Sequence, residues 1–312
     1  MLESRDIHGG STLLSGTATR TAGPHGFGVV LQTPDVAALR ARLNQVVLGA
    51  ADGLPASAAE DVRAALRPYL AGEARDFVRL FPVPLWSFLH WALPDGAPRA
   101  HAERAHALAL LLHLWDDHLV DGQLPLTFAR LHLRGAVWNA FTASARALCA
   151  GLGAPEDRVR EHGDTYLDAV TAAGDPAGGL AGHCALFERQ AAVWTLVPRV
   201  LEETGTAPGG LVAVVRNVAV AWRLTDDVSD LPDDAADRVR SGVWYALGER
   251  SRELWTRGRA DAVPEQELRA AAARLRDRAA VLLREAEDAA GRAELSGLRQ
   301  EVSLARQGLT SG

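Results

Sequence analysis

Lysine is absent from this 312-residue chain, so all 33 residues in the combined lysine and arginine count are arginines. Chemistry that needs a lysine amine, such as Schiff-base formation or Walker-type phosphate binding, is thereby excluded. Cysteine is nearly as scarce. Cys149 and Cys184 are too few for a disulfide framework and lack the paired spacing of zinc ligands, so they read as small core residues of a reducing cytoplasm. Long apolar runs are missing too. The longest, Ala107–Trp115 and Leu211–Leu224, are interrupted by His113, Arg216, Asn217 and Arg223 and fall short of the ~20 residues a membrane-spanning helix needs. Residues 1–20 carry charges and glycines where a secretory signal would carry an apolar stretch. A net charge of −6 and a pI near 5.9 leave no broad basic footprint for nucleic acid or an anionic membrane surface. These absences point to a soluble cytoplasmic protein, without stable membrane insertion, that binds any phosphate locally.

No segment alternates β-branched and polar residues between turns, and no repeat recurs at the ~30–50 residue period of helical arrays. What is present is helical periodicity. Residues 1–33, rich in Gly, Ser and Thr, read as a flexible leader. Thr33 then suits a helix cap, Pro34 the first helical position and Asp35 the first turn, after which Val36, Leu39, Leu43 and Val47 recur at helical spacing. Further helical segments are expected over 57–71, 76–92, 99–121, 125–150, 156–173, 180–203, 209–231, 233–256 and 264–308. Residues 34–312 thus read as one all-α domain.

Two acidic clusters stand out. Asp116, Asp117 and Asp121 end an apolar helical run; Asp117 and Asp121 are four residues apart and share a face. Asp226, Asp227, Asp230, Asp233, Asp234 and Asp237 follow a helix apolar on most sides, with Asp226 and Asp230 on one face and Asp234 continuing the stripe if Pro232 does not divert it. Either run alone reads equally well as a solvated helix end. An uncompensated charge on a buried helix costs several kcal/mol, and two such clusters favour cations. Oxygen donors without His or Cys pairs select a hard ion, magnesium with water and phosphate being the usual case.

Asp116-Asp117-His118-Leu119-Val120-Asp121 resembles the first aspartate-rich motif of the class I isoprenoid synthase superfamily, which comprises prenyl diphosphate synthases, squalene and phytoene synthases and class I terpene cyclases. Asp226-Asp227-Val228-Ser229-Asp230 resembles the second motif of prenyl diphosphate synthases, in which Phe-Gln stands at the positions of Trp222-Arg223. Leu224 through Asp234 is similar to the second motif of phytoene synthases, and its four-residue steps match the ligand spacing of terpene cyclases. The resemblance implies a helical bundle around a central cavity. Asp116, Asp117, Asp121, Asp226, Asp227, Asp230 and Asp234 would hold about three magnesium ions across its mouth. It gives Asp117, Asp121, Asp226 and Asp230 the catalytic role, because the metal they hold stabilises the departing diphosphate of a prenyl diphosphate substrate. The allylic cation left behind would cyclise, couple or lose a proton according to cavity shape.

The same resemblance nominates substrate-binding residues. Arg223, Arg238, Arg240 and Tyr245 surround the second motif, Arg189 precedes Asp226 by 37 residues and Arg306 follows it by 80, although Gln307 stands where many cyclases have Tyr. Trp115 and Trp222 lie within about one turn of an acidic cluster, where an indole face can stabilise a cation. One feature departs from chain-elongating enzymes. Their Gly-Gly-Lys-Arg motif, ending in Arg-Pro, leaves only Arg67-Pro68 here, with Ala64 and Ala65 at the Lys and Arg positions. The expectation is a magnesium-dependent class I terpene synthase. The alternatives are a prenyl diphosphate synthase, a head-to-head phytoene- or squalene-like prenyltransferase, or a non-catalytic acidic helical protein. Monomer and homodimer both stay open.

Overall fold

The computed structural model describes residues 19–22, 29–52, 54–67, 76–93, 98–120, 122–171 and 178–310. Strands β1 (Thr19–Ala22) and β2 (Val29–Gln32) pair as an antiparallel hairpin, Thr19 opposite Gln32 and Ala22 opposite Val29. These strands fall within the expected leader, where the hydrophobic, β-branched run of β2 supplies a strand former that the Gly/Ser-rich composition obscures. Fourteen α-helices follow among the described residues: α1 (Pro34–Leu48), α2 (Ala56–Leu66), α3 (Pro84–Ala92), α4 (Arg99–Val120), α5 (Phe128–Leu152), α6 (Asp157–Thr171), α7 (Gly179–Gln190), α8 (Ala192–Glu203), α9 (Leu211–Ser229), α10 (Leu231–Asp237), α11 (Gly242–Ala246), α12 (Glu249–Thr256), α13 (Glu265–Arg292) and α14 (Ser296–Thr310). None is long and apolar enough to cross a membrane.

Helix α1 begins as its sequence dictates. Thr33 accepts a hydrogen bond from the Val36 amide at 3.3 Å, Pro34 occupies the first turn, and Val36, Leu39, Leu43 and Val47 are fully buried. Several long expected segments are broken. The 180–203 segment divides at Ala191 into α7 and α8, and 264–308 divides at a turn where Glu294 adopts φ 57° so that α14 folds back on α13. The 233–256 segment is three short helices. Periodicity survives these breaks because the chain resumes on the same buried side, so spacing alone does not reveal them.

Helices α4 and α9 form the centre. Ala107–Leu112 of α4 are buried on every side, and Val214, Val215 and Val218–Ala221 of α9 likewise, because α5, α1, α8 and α3 surround the first and α13, α8, α3 and α7 the second. Each buried leucine or valine of these runs contributes about 2 kcal/mol relative to exposure. Asn44 of α1 donates to Asp76 at 2.7 Å and accepts from the Val78 amide at 3.0 Å, while Arg40 pairs with Asp76. These contacts fasten the segment that carries Leu80 and Phe81 against the bundle.

Helices α3 and α14 meet through a buried carboxyl: the Ser87 hydroxyl donates to Glu301, both side chains being buried. Burial pushes Glu301 up to about 8, against the hydrogen bond from Ser87. Between its ordinary value of 4.5 and about 8 the folded chain therefore keeps a proton that the unfolded chain has lost, so this group's contribution to stability declines as pH rises through that window. Glu301→Gln, which stays neutral, should remove that part of the decline. Melting temperatures taken from about pH 5 to pH 8 should fall less steeply for the variant, and parallel curves for both chains would refute the assignment.

Candidate functional site

The C-terminal ends of helices α4 and α9 both line a cavity of about 490 Å³. Asp117 and His118 reach it from α4, Asp226 from α9, Asp230 from the junction beyond, and Asp233, Asp234 and Asp237 from α10. Leu80, Gln123 and Val239 border it; His113, Leu114, Trp222 and Arg223 complete its wall. The second acidic stripe survives Pro232. The Asp230 amide donates to the Asp226 carbonyl at 2.9 Å and the Asp234 amide to the Asp230 carbonyl at 2.8 Å. Pro232 falls in the first turn of α10, where a missing N–H leaves no bond unmade.

Burial pushes Asp234 up to about 6, with Asp227 and Asp230 adding repulsion and Ser241 and Arg223 opposing it. Crowded carboxylates of this kind favour a cation among them. Among the described residues no three His, Cys, Asp or Glu side chains converge tightly enough to form a finished metal cluster. The donors instead line opposite sides of one mouth. That fits magnesium, which is commonly held by one or two carboxylates and completed by water and substrate phosphate oxygens. Asp121 lies outside the described residues.

Two expected metal ligands are committed elsewhere. The Asp116 carboxylate is buried off the cavity, accepting from Arg134 Nε at 3.1 Å, Arg134 Nη2 at 3.0 Å and the Tyr166 hydroxyl at 2.8 Å. Successive helical residues point about 100° apart, so Asp117 faces the mouth while Asp116 faces α5 and α6. Asp227 borders the cavity, but its oxygens are occupied. Oδ2 accepts from His183 Nε2 and from the Gly242 amide, each at 2.9 Å, and Oδ1 pairs with Arg223 Nε at 3.1 Å. Burial would raise its pKa, yet Arg223, His183 and the Gly242 amide outweigh that and hold it below the usual carboxylate range. Gly242 is required: a Cβ there would stand 2.5 Å from Asp227 Oδ2 and 3.0 Å from Leu275.

Of the nominated substrate-binding residues, Arg223 and Trp222 line the cavity. Arg189 faces a separate cleft between α6, α7, α8 and α9, with Arg158, Arg199 and Arg216. Arg306 pairs with Glu287 at 3.0 Å, joining α14 to α13. The Arg240 guanidinium lies 5.0 Å over the Trp244 ring, and Tyr245 stacks on His183 at 5.1 Å. Arg238 takes a left-handed conformation, φ 62°, where α10 ends, its guanidinium close to Gly258. The Trp115 indole donates to the Arg130 carbonyl at 3.3 Å. None of these six residues lines the acidic cavity, since nearness to a motif along the chain does not fix which side of a helix a residue occupies. The sequence reading overlooked Leu80, Gln123 and Val239, which carry no chemical signature, and His183, which reaches Asp227 from a separate helix.

No protein-family model matches the chain, and no curated protein is similar to it in sequence. Solved structures are similar. A decaprenyl diphosphate synthase from Rhodobacter capsulatus superposes with a TM-score of 0.61 at 17% identity, over 89% of this chain and 97% of that one. A polyprenyl synthase from Caulobacter crescentus, complexed with calcium and isoprenyl diphosphate, superposes with a TM-score of 0.63 at 16% identity, over 93% of this chain and 99% of that one. Over about nine-tenths of its length the chain has the all-α fold of the class I isoprenoid synthases.

Proposed function

We propose that the chain is a magnesium-dependent enzyme that ionises a prenyl diphosphate. The observation that carries this reading is the meeting of Asp117, from the first aspartate cluster, with Asp226, Asp230 and Asp234 of the second, about 110 residues on in sequence, at one cavity of an isoprenoid synthase fold. The calcium and isoprenyl diphosphate held by the Caulobacter polyprenyl synthase agree with it. Magnesium, when bound, supplies positive charge for the departing diphosphate. Asp117, Asp226 and Asp230 are the carboxylates that hold it, with Asp234 joining once deprotonated. Arg223, oriented by Asp227, offers its guanidinium to diphosphate oxygens. Trp222, Leu114, Leu80 and His113 exclude bulk water from the carbon skeleton.

Both structural neighbours are polyprenyl synthases, which favours transfer of the allylic cation to a second prenyl unit. A single-substrate cyclisation is the second reading. It is favoured by Ala64 and Ala65 on α2, which stand where elongating enzymes place Lys and Arg.

Purified chain with magnesium should release diphosphate from at least one of geranyl, farnesyl and geranylgeranyl diphosphate, and chelation should abolish the release. Product formed only with added isopentenyl diphosphate indicates transfer; cyclic product from one substrate indicates cyclisation. Turnover that survives exhaustive chelation contradicts the mechanism.

Asp117→Asn, Asp226→Asn and Asp230→Asn should each lower turnover by about a hundredfold or more while leaving the helical circular dichroism unchanged. The Asp226/Asp230 double variant should lose much less than the product of its single losses, since groups of one site fail together. Small, equal and multiplicative effects would mark the stripe as solvated surface.

Gly242→Ala tests the cradle around Asp227. The added methyl forces Asp227 from the Gly242 amide and loosens Arg223, at a cost of about 1–3 kcal/mol for the displaced buried acceptor. The melting temperature should fall by several degrees and KM for the diphosphate substrate should rise. Unchanged values of both would show that Arg223 needs no such support.

A further inference from the structure

Two buried ring nitrogens on the wall of the acidic cavity have no hydrogen-bond partner among the described residues: Nδ1 of His113 and Nε1 of Trp222. Both side chains are more than nine-tenths buried. Trp86, Trp91 and His106 also have an unpaired ring nitrogen, but they do not line this cavity. Buried polar atoms are nearly always paired, so an unpaired acceptor and an unpaired donor on one cavity wall point to a partner that enters with the ligand.

The surroundings of His113 fix its character. Its ring lies 4.4 Å from Trp194, edge-on to Phe187 at 5.5 Å and 6.4 Å from Tyr166. Burial pushes it down to about 4, against the nearby carboxylates of Asp117 and Asp116 and with Arg223 adding to the fall, so the ring is neutral at ordinary pH. The Gln190 backbone carbonyl is the neighbouring acceptor for the single N–H of the neutral ring. An N–H on Nε2 leaves the lone pair on Nδ1, the nitrogen without a partner.

We propose that His113 is the proton acceptor that ends the reaction, its Nδ1 lone pair removing a proton from the carbocation left when diphosphate departs. The proposal rests on the ionising reading above. The balance is closed. The allylic C–O bond breaks with its electron pair going to diphosphate. A C–H bond next to the cationic carbon then breaks, its pair forming the new C=C bond while the proton joins Nδ1. The imidazolium, disfavoured by burial, returns the proton to the departing diphosphate and the ring is again neutral. Trp194, Phe187 and Trp222 hold π faces around the same region, which lowers the cost of the transient positive charge.

The test reads diphosphate release and organic product separately, with geranyl, farnesyl and geranylgeranyl diphosphate in turn. His113→Phe keeps a ring against Trp194 and Phe187 but no lone pair. The principal wild-type product per diphosphate released should fall at least about tenfold as other terminations replace it, a ratio that does not depend on how fast the variant releases diphosphate. His113→Gln, which restores an acceptor, should recover part of that product. An unchanged product ratio in His113→Phe overturns the proposal alone. Absence of diphosphate release from the unaltered chain overturns the ionising reading, and the proposal with it. Should His113→Phe fail to fold, ¹⁵N spectra of the unaltered chain decide: an unprotonated Nδ1 on His113 supports the assignment, and a proton on Nδ1 refutes it.

Discussion

Repulsion between carboxylates at the ends of two buried helices is the constraint around which the molecule is arranged. Helices α4 and α9 are apolar enough to sit at the centre of the bundle, and that burial brings Asp117, Asp226, Asp230 and Asp234 to one mouth. In a low-dielectric setting such charges repel far more strongly than in water. The rise of Asp234 to about 6 is the local expression of that repulsion and of lost hydration. A cation among these carboxylates would relieve both.

Each Asp-Asp doublet divides its labour. One member faces the cavity, Asp117 or Asp226, while its neighbour is turned into an ion pair with an arginine, Asp116 with Arg134 and Asp227 with Arg223. The buried members are further held by Tyr166 in one case and by His183 and the Gly242 amide in the other. Removing a partner from such a buried pair leaves an uncompensated charge, which costs about 3–5 kcal/mol. The buried carboxylates therefore set the orientation of the helix ends, and through them the direction in which the cavity carboxylates point. Asp227 also holds Arg223 at the wall, so a chain without lysine still presents a cation to the mouth.

Beneath the acidic mouth the chemistry changes within a few ångströms. Phe81, Trp194 and Trp222 pack at centroid separations of 5.4–6.0 Å, and His113 and Phe187 join them around Trp194. Polar hydration is poor there, and π faces are the main source of electron density. An acidic rim thus adjoins a cluster of aromatic rings that meets the cavity at Trp222 and His113.

Much of this was legible in the chain. The all-α class followed from helical periodicity, the start of α1 from Thr33-Pro34-Asp35, and the pairing of Asp226 with Asp230 and Asp234 from four-residue steps that persist across Pro232. Those features depend on contacts within a turn or two of helix, which spacing encodes directly. What spacing could not encode was which side of each helix meets the cavity. Asp116 and Asp227 carry the right chemistry but are held in buried ion pairs, while Arg189, Arg306, Arg240 and Tyr245 belong to other surfaces or to other helices. The hairpin of β1 and β2 lies against α14, from the far end of the chain. Leu80, His183 and Gly242 reach the site only because α1, α7 and α11 pack where they do. Such placements arise from contacts between segments distant in sequence, each free to rotate about its own axis until packing chooses one face, and no local pattern records that choice.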